Sequence, residues 1–77
     1  MRKPTARRLR RRYANTQYPT VVLRFEDGHE IQVRNGEGKA FDAYAGETVK
    51  VVAIWGPDAG DREVVAVMKA EQFEEDR

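Results

Sequence analysis

From Thr20 the chain alternates. Val21, Leu23 and Phe25 fall on one side of a period-two pattern, with Val22, Arg24 and Glu26 on the other, as in a strand with one buried face. Asp27-Gly28 is a two-residue turn suited to the twist of a hairpin. A second strand follows, in which His29, Ile31 and Val33 alternate with Glu30, Gln32 and Arg34. Asn35-Gly36-Glu37-Gly38 breaks the pattern, Ala40 to Tyr44 is a short strand, and Ala45-Gly46-Glu47 turns the chain again. Thr48 to Trp55 is apolar on both faces, the mark of a central strand or one wrapped by a barrel. Gly56 to Asp61 reads as a loop. Arg62 to Lys69 is a last strand carrying Val64, Val65, Val67 and Met68, and the end is acidic around Phe73. Four clear strands and a short fifth predict a mainly β protein: a small five-stranded antiparallel barrel of the SH3-like or Sm-like kind.

The first 18 residues follow a different pattern. Ala6, Leu9 and Tyr13 recur at spacings of three and four, a thin helical stripe. The rest of that helix is arginine, and like charges one turn apart repel. The expectation is a segment disordered alone and helical only against a partner or the body. The sequence thus divides into a basic arm (1–18), a barrel domain (19–73) and an acidic tail (74–77). At 77 residues there is room for one small domain.

Charge gives the arm its meaning. Arg2, Lys3, Arg7, Arg8, Arg10, Arg11 and Arg12 make seven of the first twelve residues basic, and none of the twelve is acidic. The remaining residues hold seven basic and thirteen acidic side chains, so a +7 arm is joined to a −6 body. Such an arm points to a polyanion, RNA in preference to DNA, because guanidinium forks grip phosphates and stack on bases. If all seven cations engaged duplex DNA, log affinity would fall with log salt at a slope of about −6. Tyr13 and Tyr18 flank the run as candidate stacking rings. An acidic protein surface, or the chain's own acidic tail, is the competing partner.

Catalysis finds little support. His29 is the only histidine, and there is no cysteine and no serine. A serine nucleophile and a nitrogen–sulfur metal site are therefore both excluded. The expectation is a non-enzymatic protein without a cofactor. Cysteine-free composition suits a reducing, cytoplasmic setting, and no apolar run approaches the roughly 20 residues of a membrane helix. Oligomeric state is not legible.

Val21-x-Leu23-x-Phe25-x-Asp27-Gly28, Phe41-Asp42-Ala43-Tyr44 and Met68-Lys69-Ala70-Glu71-Gln72-Phe73 together resemble the motifs of the Sm/LSm family of RNA-binding proteins, to which bacterial Hfq is related. The resemblance covers about residues 20–73 and implies a strongly bent five-stranded barrel preceded by a helix. It also implies that Asp42, Tyr44 and Lys69 lie near an RNA base. Gly46 stands where the family carries an RNA-contacting asparagine, and Lys69-Ala70 where it carries Arg-Gly. The alternative function is a protein-interaction module that modulates a larger nucleic-acid machine such as a polymerase, ribosome or nuclease.

Overall fold

A computed structural model describes residues 8–55 and 60–74. Six strands follow in chain order: β1 (Arg8–Ala14), β2 (Thr20–Arg24), β3 (Glu30–Arg34), β4 (Gly38–Tyr44), β5 (Thr48–Trp55) and β6 (Asp61–Lys69). A 3₁₀ turn, Ala70–Gln72, follows β6. The mainly β expectation is met, and there is no α-helix among the described residues.

The five-stranded barrel is not. The strands form a four-stranded antiparallel sheet ordered β3-β2-β5-β6 and a separate two-stranded sheet, β1-β4. The extra strand is the reason. Arg8–Ala14 pairs with Tyr44–Gly38 over its whole length, so β4 spends its hydrogen bonds on the arm instead of closing the larger sheet. A lone bridge between Asn15 and Asn35 links the two sheets' ends.

The helical expectation for the arm is likewise corrected. Leu9, Arg11 and Tyr13 face inward and are half-buried, while Arg8, Arg10, Arg12 and Ala14 are exposed. The strand period of two outcompetes the helical stripe because β4 supplies partners for the backbone and Asp42 supplies a counter-charge. Alternate arginines also stand about 7 Å apart on a strand, where a helix would stack them within a turn. The described part of the arm is therefore built into the fold, and removing residues 1–12 would strip β4 of most of its partner.

The core lies between the sheets. Val21, Leu23, Val33, Val49, Val51 and Ala53 from the larger sheet meet Phe41 and Ala43 of β4, with Phe25, Ala70 and Phe73 closing the ends. Four rings run through it in edge-to-face contact: Phe25–Phe41 at 5.2 Å, Phe41–Phe73 at 5.3 Å and Phe73–Tyr13 at 5.2 Å between centroids. Each such pair contributes about 0.5–1.5 kcal/mol beyond its area. The column ties β1, β2, β4 and the C-terminal turn together.

The β2–β3 connection is not the expected two-residue Asp27-Gly28 turn but a three-residue loop, Glu26-Asp27-Gly28. The Gly28 N–H donates to the Phe25 carbonyl at 2.9 Å, and the Phe25 N–H donates to the His29 carbonyl at 2.8 Å. Gly28 takes φ 90°, a left-handed conformation that strains any side chain. Asn15 is buried, and its amide donates to the carbonyl of Tyr18 at 2.7 Å while its oxygen accepts from the N–H groups of Gln17 and Tyr18. This side chain shapes the bend between β1 and β2.

Candidate nucleic-acid interface

The exposed face of the β1-β4 sheet carries the arginines. Strand alternation aims Arg8, Arg10 and Arg12 outward in a row. Across the ladder they stand opposite Tyr44, Asp42 and Ala40. Asp42 pairs with two members of the row. Arg10 Nε donates to an Asp42 carboxylate oxygen at 3.2 Å, and an Arg8 nitrogen lies 3.9 Å from the other oxygen. Both pairs are solvent-exposed and screened, so neither adds much to stability.

Arg8 also meets Tyr44. Its guanidinium carbon sits 5.0 Å from the ring centroid, within cation–π range. A hydrogen bond to Tyr44, then the charges of the tyrosine and Asp42, raise the Arg8 pKa above its ordinary value. The cation lies beside the ring. Arg11 points the other way and donates from Nε to the carbonyl of Ala70 at 3.3 Å. It straps the arm to the C-terminal turn, as does the Arg12 N–H, which donates to the carbonyl of Glu74 at 3.1 Å.

Beside the arginine row opens a cleft of about 270 Å³. Phe25, Phe41, Ile31 and Tyr44 give it apolar walls; Arg8, His29, Asp27 and Asp42 give it a polar rim. The His29 ring lies 5.4 Å from Phe25, and the His29 N–H donates to Asp27 at 2.8 Å. Glu47 forms part of the lining but is buried, and its carboxylate accepts the N–H groups of Tyr44 at 3.0 Å and Glu26 at 3.2 Å. That acid holds the β4–β5 turn. Among the described residues no three histidine, aspartate or glutamate side chains gather as a metal site requires.

The residues singled out by sequence separate into groups. Arg8, Arg10, Arg12 and Tyr44 share one face. Arg2, Lys3 and Arg7 lie outside the described residues. Tyr13 turns inward against Phe73, and Tyr18 is half-buried with its ring 5.3 Å from Trp55 at a steep angle. Lys69 stands on the larger sheet, where its ammonium donates to the Gly46 carbonyl at 3.4 Å and Thr48 Oγ1 at 3.1 Å. It does not line the Tyr44 cleft. The cleft's His29 and Phe25 were not grouped with Tyr44 by sequence reasoning, since a turn and two strands separate them in the chain. Split parity was the available signal for the arm: Arg8, Arg10 and Arg12 against Leu9, Arg11 and Tyr13.

No family model matches the chain, and no curated protein or solved structure matches it. The functional reading therefore rests on these residues.

Proposed function

We propose that the chain is a non-enzymatic nucleic-acid-binding protein that prefers single-stranded RNA. The observation carrying this reading is the outward row Arg8, Arg10, Arg12 on β1, set beside the aromatic cleft at Tyr44. The row offers a cation at each alternate strand position, a match to a regularly repeating backbone charge. The cleft offers an unpaired base an apolar seat with a tyrosine at its edge, and a duplex presents no free base to fill it. The Asp27 carboxylate at the rim repels phosphate, whereas that of Asp42 is held by Arg10 and Arg8 within the row, so the backbone runs along the row and the base enters the cleft. Asp42 followed two residues later by Tyr44 is the part of the Sm/LSm resemblance that lies beside the arginines, and an Sm-like mode of base stacking is proposed on that ground alone.

The experiment is a fluorescence-anisotropy titration of the full chain with a uridine oligomer, the matching duplex DNA and a duplex RNA at low salt. The oligomer is expected to bind most tightly. Absence of binding to any of the three at low salt would sink the proposal.

A further inference from the structure

The body has a formal charge of −6, yet its cations are not spread over it. After residue 12 the chain has seven basic residues: Arg24, Arg34, Lys39, Lys50, Arg62, Lys69 and Arg77. The pairing registers place five of them on one surface, the face of the four-stranded sheet turned away from the core. Arg34 pairs with Thr20, Thr20 with Ile54, and Ile54 with Arg62. Arg24 pairs with Lys50, and Lys69 with Thr48. Directly opposite residues share a face, and their inward neighbours Val21, Leu23, Val49, Val51 and Ala53 are the core.

Between the cations the face is aliphatic. Val22 pairs with Val52, and Val52 with Val64. Val22 and Val52 are buried, whereas Val64 and Val67 are 50% and 59% exposed. A β-bulge makes this strip. Val51 pairs with Ala66 but Val52 with Val64, which leaves Val65 as the extra residue and brings Val64 and Val67 to the same side. The acids nearby are engaged. Glu30 accepts from Arg24 at 2.7 Å, and Glu26 accepts the Thr48 N–H at 2.7 Å. Asp61 and Glu63 pair with Trp55 and Ala53, in the opposite phase.

We propose that this face docks an acidic protein segment bearing an apolar stripe. Five cations face Glu26 and Glu30 on this surface and Glu37 and Glu71 at its margins, a cationic excess that favours a negative partner over the same face of a second copy. The accessible valines, Val64 and Val67, lie on the edge strand β6 between Arg62 and Lys69, with Lys50 opposite Val67, an apolar strip flanked by cations. Phe25 borders this face but is only 5% exposed, so the face lacks the stacking platform that single-stranded nucleic acid uses. Arg24 and Lys50 also border a cleft of about 410 Å³ with Phe25, Glu26, Gly28 and Thr48, in which two cations outnumber one carboxylate. The inference is independent of the arginine row on β1, which belongs to the other sheet. One chain thereby carries two differently built surfaces.

The test is an amide-shift titration of the full chain with a short peptide of alternating glutamate and leucine. A same-length all-glutamate peptide, the uridine oligomer and phosphatidylserine vesicles serve as competitors. The expected result is shifts on β2, β5 and β6. Arg62→Glu and Val67→Asp should each weaken the peptide about tenfold with the melting temperature unchanged, both side chains being exposed. Uridine-oligomer binding should survive Val67→Asp. Shifts that miss this face, equal affinity for the all-glutamate peptide, or displacement of the peptide by the oligomer or the vesicles would overturn the proposal.

Discussion

Arg10 reaches across the β1-β4 ladder to Asp42, with 3.2 Å between guanidinium nitrogen and carboxylate oxygen. The same carboxylate lies 3.9 Å from Arg8, so one acid restrains two of the three outward arginines. Asp42→Asn should release both. The expected outcome is tighter binding of the uridine oligomer and a salt slope steeper by about one phosphate equivalent. Stability should change by less than about 1 kcal/mol, because the pairs are exposed. Anisotropy titrations and a thermal melt check this; weaker binding by Asp42→Asn would contradict it.

Phe73 contributes more to stability than its place near the chain end suggests. It is 3% exposed and meets both Phe41 and Tyr13 edge to face. Phe73→Ala should cost about 3–5 kcal/mol, a large share of the roughly 5–15 kcal/mol that holds a small domain. Phe73→Leu should cost less. Urea denaturation of the two variants gives the comparison, and a loss near zero for the alanine variant would remove the turn from the core.

Glu47 is a buried acid with a structural task. Removing its carboxylate in Glu47→Ala leaves the N–H groups of Tyr44 and Glu26 without the acceptor they now have. The expected loss is about 1–3 kcal/mol for each group left unsatisfied, read from denaturant midpoints. Because Tyr44 lies on this turn, the variant should also weaken the uridine oligomer while keeping its salt slope.

Tyr13 makes the fold sensitive to alkali. Burial, then the neighbouring Tyr18, raise its phenol pKa above the ordinary 10.0. The folded state thus holds a proton that the unfolded chain gives up first, and stability falls as pH rises from the unfolded value through the folded one. Below that window the contribution is fully present. Denaturation midpoints measured through the alkaline range should drop in the parent chain, and Tyr13→Phe should flatten that part of the drop.

Much of the larger sheet was legible. The period-two runs at Thr20–Arg24 and Glu30–Arg34 and the two-faced apolar run of β5 appear where the sequence puts them; the hairpin is there too, but Glu26 joins Asp27-Gly28 in a three-residue loop. β1 was not legible, because Arg11 occupies an inward position and disguised the alternation. Its long side chain runs to the Ala70 carbonyl instead of ending in the core. With β1 misread, β4 had no visible partner, and closure into a five-stranded barrel was the natural but incorrect expectation. The arginines of the interface were named in advance, but their sorting by face was not. Nor was the clustering of Arg24, Arg34, Lys50, Arg62 and Lys69, which depends on register and on the bulge at Val65; no local pattern encodes either.

The central claim is that Arg8, Arg10 and Arg12 track a nucleic-acid backbone, and the salt dependence of binding tests it most directly. Because β1 is part of the fold, the comparison uses outward substitutions in the full chain, Arg8→Gln, Arg10→Gln and Arg12→Gln together, with melting temperature as the control for folding. Binding of the uridine oligomer is measured across a salt series for both proteins. The account predicts that the variant binds more weakly and that its log–log slope is shallower by about 2, from roughly 0.7 per phosphate contact on a single strand. An unchanged affinity and slope in a folded variant would contradict it.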